Sequence, residues 1–197
     1  MRFRQATILT LTALACAVVP AGASADASVE LLDAAQSRPT GGLAFHQANA
    51  RVTGVVAGLR ARRLRSGLAA APAGAPVEVQ RAIWAANAII GKPYRYGGGH
   101  RRFRDSGYDC SGTVSFALHG AGALDSPLDS SSFMRWGERG RGDWITVYTN
   151  PGHAYVVIAG LRLDTSAAGD PRGGKGPRWR PALRSTRGFR ARHPAGF

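Results

Sequence analysis

Apolar residues recur at helical spacing in the segment that follows Pro76. One face of this predicted helix carries four of them, Val79, Ile83, Ala86 and Ile90. Proline suits the first turn of a helix because its missing N–H has no partner there, whereas Gly91 stops the helix and Pro93 prevents its continuation. A second helix is expected to run from about Cys110 to Leu118.

Near-continuous apolar runs later in the chain predict buried strands. Residues 144–148 form one, and a second begins at His153, directly after the turn Asn150-Pro-Gly. The tight turn Ala159-Gly160 then returns the chain through Leu161–Asp164 as the second arm of a hairpin. Helices that precede a run of strands indicate an α+β fold.

The first 75 residues carry weaker signals than the rest of the chain. Residues 1–25 join a basic start to a short apolar run and end in Ala-Ser-Ala, which predicts a secretory signal peptide cleaved after Ala25. An uncleaved membrane anchor is the alternative. Residues 26–75 are interpreted as a weakly ordered leader and linker rich in Ala, Arg and Gly, with residues 52–68 as a weak candidate for a basic helix. Residues 76–197 would then hold the folded domain.

The formal net charge is +14 at pH 7, from 26 Lys and Arg against 12 Asp and Glu. Such a charge draws a protein towards polyanions, of which nucleic acid is the usual example. The predicted export and the lack of a recognition motif argue against nucleic acid. We therefore expect a secreted protein whose candidate partners include anionic cell-wall polymers and exclude nucleic acid.

Cys110 is the one cysteine expected in the mature protein, because Cys16 lies inside the apolar run of the signal segment. It cannot form an internal disulfide, and a lone secreted thiol is either a nucleophile or a buried, inert side chain. At the start of the predicted helix, the helix dipole stabilises a thiolate, and the amide of Cys110 is free to donate to an oxyanion. Asp109 is placed to cap the helix.

A thiol nucleophile needs a base, for which the sequence offers His46, His100, His119, His153 and His193. His153 is favoured because it opens a buried strand directly after a Pro-Gly turn, which makes a rigid mount. His119 lies roughly half a turn round the same helix from Cys110 and therefore faces away from the thiol. His46 is in the leader, His100 is in an Arg-flanked loop expected to be mobile, and His193 is in an irregular tail.

A third polar group should orient the imidazole of the base. The hairpin that turns at Ala159-Gly160 brings Asp164 opposite residue 155 or 156, near His153. Asp170, in a Gly-rich loop, is the alternative. No metal or other cofactor is expected, because one cysteine and scattered histidines do not make a ligand cluster.

Three motifs together resemble the NlpC-type family of papain-like cell-wall peptidases. They are Gly91-Lys-Pro-Tyr-Arg-Tyr-Gly-Gly-Gly, Tyr108-Asp-Cys-Ser-Gly-Thr-Val and Gly152-His-Ala-Tyr-Val-Val-Ile, which stand in the order that the family has. The resemblance covers about residues 77–185. It implies an α+β, papain-like fold in which a helix bearing Cys110 packs on an antiparallel β-sheet bearing His153.

The resemblance also implies roles for individual residues. Cys110 would be the nucleophile, His153 the base and Asp164 the orienting group, at a position where the family more often has histidine. Tyr94 matches the tyrosine whose hydroxyl helps to form the oxyanion hole in the family, with a packing aromatic as the alternative.

The family typically hydrolyses amide bonds in peptidoglycan stem peptides, often between D-γ-glutamate and diaminopimelate. The resemblance therefore implies a secreted, cell-wall-associated cysteine endopeptidase, expected to be a monomer, with peptidoglycan as its partner. Candidates for pairing with stem-peptide carboxylates are the arginines that flank the predicted groove, Arg95, Arg101, Arg102 and Arg104. Two alternatives stay open: a non-catalytic, basic wall-binding protein of the same fold, and a papain-like amidase or acyltransferase that acts on other amides.

Overall fold

The computed structural model describes residues 53–170 and 173–197. The predicted signal peptide, with Cys16, lies outside the described residues, as do His46 and the first part of the predicted leader. Within the described ranges, no helix has the length and hydropathy that crossing a membrane requires.

Three short strands, β1 Val55–Val56, β2 Arg62–Arg63 and β3 Ala69–Pro72, form a small sheet with β3 in the middle. β3 is buried along its whole length. The backbone of Ala69 exchanges two hydrogen bonds with the side chain of Asn87, at 2.9 and 2.8 Å. The prediction of a weakly ordered leader and linker is therefore wrong for residues 53–75. The short strands also stand where residues 52–68 were a weak candidate for a helix. A run of alanines gives β3 a narrow surface that packs closely, which composition alone did not indicate.

Three helices follow the small sheet: α1 Val77–Asn87, α2 Cys110–Gly120 and the short α3 Ser130–Phe133. α1 buries Val79, Ile83 and Ala86, which are three of the four residues on its predicted apolar face. α2 begins at Cys110, as expected, and is buried on almost every side because it contacts both α1 and the strands that follow. This central position buries Cys110, the first residue of α2.

Six strands form the main sheet of the described residues: β4 Glu138–Arg139, β5 Ile145–Asn150, β6 His153–Ile158, β7 Leu161–Asp164, β8 Arg178–Arg180 and β9 Arg190–His193. Their spatial order is β4-β9-β5-β6-β7-β8, and every neighbouring pair is antiparallel. The face of β5, β6 and β7 that packs in the core with α1 and α2 carries Ile145, Val147, Ala154, Val156, Ile158 and Leu163. The mixed α and β architecture agrees with the α+β class expected from the sequence.

The predicted hairpin between β6 and β7 is confirmed. Its two-residue turn places Ala159 and Gly160 at φ angles of 46° and 81°. Positive φ at both positions matches the right-handed twist of the flanking strands. The register pairs Val156 with Leu163, which brings Asp164 level with Tyr155, one of the two positions expected.

The C-terminal segment, to which the sequence assigned no motif, completes the main sheet. β8 pairs with β7 at one edge, and β9 inserts between β4 and β5 near the other. Residues 181–189, which join β8 to β9, therefore cross the sheet close to the His153 end of β6. This segment supplies two of the side chains described below.

Candidate active site

Cys110 occupies the first position of α2, where 9% of it remains exposed. Asp109 precedes it with an extended backbone, and its Oδ1 atom accepts a hydrogen bond from the amide of Gly112 at 2.8 Å. The carboxylate is thus turned towards backbone amides, as the sequence predicted, rather than towards the thiol. The positive end of the helix dipole acts on the sulfur atom.

The Gly-rich loop of residues 97–99 packs against the first turn of α2. The amide of Gly97 donates to Oδ2 of Asp109 at 2.9 Å, and the amide of Asp109 donates to the carbonyl of Gly98 at 3.2 Å. A Cβ atom on Gly112 would collide with that same carbonyl oxygen, so this position admits only glycine. The Asp-Cys-Ser-Gly motif therefore combines a cap, a thiol and a site of close backbone approach.

His153 opens β6 beside the thiol. The side chain of Asn150 accepts hydrogen bonds from the amides of Gly152 and His153, at 3.0 and 2.9 Å, which fixes the turn before the strand. The imidazole is hydrogen-bonded to Cys110, and the amide of Ala154 also donates to the sulfur. The structure thus brings the predicted nucleophile and the predicted base into contact.

The two groups shift each other's proton affinity. Burial by itself would raise the pKa of the Cys110 thiol, but the hydrogen bonds from His153 and from the amide of Ala154 outweigh it, and the pKa falls below its usual value. Burial would lower the pKa of His153, but hydrogen bonds with Asp164 and Cys110 outweigh it and raise the pKa to about 9. Both shifts favour a thiolate–imidazolium pair at neutral pH.

Asp164 holds the far side of the imidazole. Its Oδ1 atom lies 2.9 Å from Nε2 of His153 and accepts a second hydrogen bond from the amide of Ser166 at 2.8 Å. Burial would raise the pKa of this carboxyl group, but these hydrogen bonds keep it below its usual value. Because Nε2 is engaged by Asp164, Nδ1 is the nitrogen left for the thiol. The alternative carboxylate, Asp170, instead pairs with Arg180 at 3.0 Å.

Tyr94 lies next to the thiol, at the rim of the site. Its backbone forms a bridge with that of Tyr108, and 42% of the residue is exposed. Partial burial raises the pKa of its hydroxyl, and the negative charges of Cys110 and Asp109 raise it further. The hydroxyl therefore stays protonated and is available as a hydrogen-bond donor.

A cavity of about 440 Å³ opens beside Cys110, and its lining includes Tyr94, Tyr96, His100, Asp109, Asp129 and Ser130. The predicted substrate-binding arginines do not line it. Arg95 donates to Oγ of Ser106 at 3.0 Å, whereas Arg101 and Arg102 are exposed in the loop that follows. A larger cavity of about 530 Å³ lies beside Trp144 and Tyr148, and its lining does not include Cys110, His153 or Asp164.

His100 is a cavity residue that the sequence analysis set aside. Its Nε2 atom lies 3.0 Å from Oδ1 of Asp109 and 3.0 Å from Oγ of Ser111, so it belongs to the network that caps α2. His119 does not line the cavity and instead stacks on Phe103, with ring centroids 3.8 Å apart. Among the described residues, no group of three or more His, Cys, Asp or Glu side chains could hold a metal ion.

Two further residues near His153 had no signal in the sequence. Arg184 donates from Nη1 to Oδ2 of Asp164 at 3.2 Å. The ring of Phe189 meets the imidazole edge to face, with centroids 6.2 Å apart. Both lie in the segment between β8 and β9, which comes next to the site only when β9 joins the sheet.

No family model and no curated protein matches this chain. Two solved structures from Mycobacterium tuberculosis do match it. Rv1477, a hypothetical invasion protein, is 21% identical over 59% of this chain and 62% of its own, with a TM-score of 0.43. The peptidoglycan hydrolase RipB (Rv1478) is 20% identical over 83% of this chain and 77% of its own, with a TM-score of 0.46. The chain thus spans less than two thirds of the length of Rv1477.

Proposed function

We propose that this protein is a secreted cysteine peptidase that hydrolyses amide bonds in the stem peptides of peptidoglycan. The observation that carries the proposal is the line of contacts from Cys110 through His153 to Asp164. A thiol of lowered pKa, a base and a buried carboxylate in this order form the arrangement that acyl transfer requires. A thiol with a structural role alone would need neither partner.

The reaction begins with the thiolate–imidazolium pair. The Cys110 sulfur attacks the amide carbonyl, and the N–H of protonated His153 supplies the proton with which the amine leaves. This step forms a thioester between the sulfur and the acyl half of the substrate. Neutral His153 then takes a proton from a water molecule, whose oxygen attacks the thioester, releases the carboxylic acid and restores the pair. Asp164 keeps the imidazole in one tautomer throughout.

The tetrahedral intermediates carry a negative oxygen that needs donors. Amides in the first turn of α2 have no intrahelical partners, and the amide of Cys110 is the first donor in the proposal. The protonated hydroxyl of Tyr94, at the edge of the same cavity, is the second donor in the proposal. Two donors that converge on one oxygen would complete an oxyanion hole.

The substrate class rests on the three sequence motifs, which resemble those of NlpC-type cell-wall peptidases. On this reading the fold is papain-like, and the bond cut joins D-γ-glutamate to diaminopimelate. The predicted signal peptide and the net charge of +14 suit an exported protein that works against an anionic cell wall. Because none of the predicted arginines lines the cavity, pairing of arginine with stem-peptide carboxylates is not part of this proposal.

Digestion of purified sacculi tests the proposal. We expect the wild-type protein to release stem-peptide fragments that mass spectrometry identifies by their new carboxyl and amino ends, and Cys110→Ala to release none. Cys110→Ser serves as a near-isosteric control for the fold. Equal release of fragments by the wild type and by Cys110→Ala would rule out Cys110 as the nucleophile. Binding of sacculi without release, together with an unreactive thiol, would favour the non-catalytic wall-binding alternative.

A further inference from the structure

Arg184 holds the oxygen of Asp164 that His153 does not use. Nη1 of Arg184 lies 3.2 Å from Oδ2, while Nε2 of His153 lies 2.9 Å from Oδ1. The amide of Ser166 also donates to Oδ1, at 2.8 Å. With donors on both oxygens, the carboxylate has one orientation, and that orientation points Oδ1 at the imidazole.

Two aromatic rings hold the guanidinium in place. Its central carbon lies 5.4 Å from the ring centroid of Tyr155 and 5.2 Å from that of Phe189, which are cation–π distances. The two rings meet edge to face, 5.2 Å apart, and Phe189 also packs its ring against His153. One aromatic cluster therefore contacts both the imidazole and the cation that stands behind its carboxylate.

We propose that Arg184 is a positioning residue for the reaction: it acts through Asp164, by fixing the carboxylate against His153 and by neutralising part of its charge. The inference rests on the proposed function for its kinetic consequence. Its structural content, the coupling of Arg184 to His153 through Asp164, can be measured without any substrate.

The other arginines near Asp164 do not take this role. Nε of Arg162 is 3.8 Å from Oδ2, beyond hydrogen-bond distance, and its Nη2 donates to the carbonyl of Ala168 at 2.6 Å. Arg180 donates from Nε to the backbone carbonyl of Asp164, at 3.0 Å, rather than to its carboxylate. Among the side chains described here, Arg184 is thus the arginine hydrogen-bonded to the carboxylate.

The sign of the electrostatic effect follows from the charges around the pair. Besides Arg184, the charged and titratable groups around Asp164, His153 and the thiol are Cys110 at the start of α2, Asp109 that caps it, Tyr148 from β5, Tyr155 from β6, Arg162 from β7 and Arg180 from β8. All of these stay when Arg184 is replaced by glutamine. The charge of Asp164 is then less compensated, so it stabilises the imidazolium more strongly, and His153 loses its proton at a higher pH.

The test compares Arg184→Gln and Arg184→Lys with a matched control, Arg187→Gln, which removes a cation from an exposed position of the same segment. The readouts are kcat and KM for a stem-peptide substrate across pH, and the titration of the His153 ring followed by NMR. For Arg184→Gln we expect kcat to fall by roughly 10- to 100-fold with little change in KM, as for the loss of other groups that orient a reactive side chain. In this variant, the alkaline limb of the pH profile of kcat and the midpoint of the His153 titration should move up by about half to one pH unit.

Arg184→Lys should restore the position of the alkaline limb, because it keeps the charge, but only part of kcat, because an ammonium lacks the planar fork of a guanidinium. If Arg184→Gln matches Arg187→Gln in kcat and in the His153 titration, the inference is overturned, while an active wild type leaves the proposed function standing. If the wild type cleaves nothing, the proposed function fails, and the NMR titration alone decides the inference. If Arg184→Gln does not fold, the Arg184→Lys comparison decides, because the inference requires kcat below that of the control.

Discussion

Nε2 of His153 and Oδ1 of Asp164 lie 2.9 Å apart, across a hairpin that separates the two residues by 11 positions in the chain. The contact depends on the register that pairs Val156 with Leu163. A slip of one residue in this register would turn Asp164 to the opposite face of the sheet. The two-residue turn at Ala159 and Gly160 therefore determines the geometry of the base as well as that of the hairpin.

Replacing Asp164 by asparagine tests this contact. Asparagine keeps the shape but removes the charge that stabilises the imidazolium, so we expect kcat/KM for stem-peptide cleavage to fall by about 10²- to 10⁴-fold. The alkaline limb of the pH profile should move down, opposite to the shift expected for Arg184→Gln, because His153 then loses its proton more easily. Steady-state kinetics across pH measure both effects. Full activity in Asp164→Asn would contradict the orienting role.

The reactivity of Cys110 gives a second prediction. Because the pKa of its thiol is lowered, iodoacetamide should alkylate the wild type at pH 6 faster than it alkylates an ordinary thiol, whose pKa is about 8.5. In His153→Gln the thiol loses its main hydrogen-bond donor, and the rate at pH 6 should fall by up to about tenfold for each unit by which the pKa rises. Mass spectrometry of the intact protein follows the reaction, with Cys110→Ser as the measure of labelling elsewhere. Equal alkylation rates in the wild type and His153→Gln would contradict the claim that His153 lowers the pKa of the Cys110 thiol.

Stability should depend on pH through His153, most clearly in the Cys110→Ala background, where the thiol no longer titrates. The folded-state pKa of His153 lies above its ordinary value of 6.5, so protonation stabilises the folded state. This contribution is fully present below pH 6.5 and is lost as the pH rises through the folded-state pKa. The window ends below about 9, because part of the shift to that value comes from Cys110.

Urea unfolding of Cys110→Ala at several pH values measures this loss of stability. The matched control is the double variant Cys110→Ala with His153→Gln, which lacks the titrating imidazole but keeps every other group. We expect the free energy of unfolding of the double variant to change less over the same window. Identical pH dependence in the two proteins would show that His153 is not held protonated in the folded state.

Asn87 is predicted to anchor the small sheet to the domain. Its Oδ1 atom accepts hydrogen bonds from the amide of Ala69 and from Nε1 of Trp179, at 2.9 and 2.8 Å, and its Nδ2 atom donates to the carbonyl of Ala69. Asn87→Ala would leave these buried partners unpaired, at a cost on the order of 3 kcal/mol in the free energy of unfolding. Gln80→Ala on the same helix, which loses one partly buried bond to Ala75, should cost about 1 kcal/mol. Urea denaturation compares the two, and equal losses would contradict the anchoring role.

Local patterns in the sequence determined much of the site. The apolar spacing of α1 and the start of α2 at Cys110 depend on residues that are close together in the chain, whereas α1 ends at Asn87 rather than at Gly91 as expected. The same holds for the Asn150-Pro-Gly turn before His153 and for the hairpin that carries Asp164. These elements were predictable because helix periodicity, capping and turn formation act over a few residues.

Contacts between distant segments were decided by the tertiary structure alone. The alanines of β3 are buried because Asn87 hydrogen-bonds the backbone of Ala69 and the strand packs in the core, although their composition is typical of a linker. Arg95, Arg101 and Arg102 are close to Cys110 in the sequence but do not line its cavity. Arg184 and Phe189 reach Asp164 and His153 because β9 inserts into the sheet beside β5 and carries the preceding segment with it. Neither a pattern of polar and apolar residues nor a charge count predicts these contacts, because they depend on how the strands are ordered in space rather than along the chain.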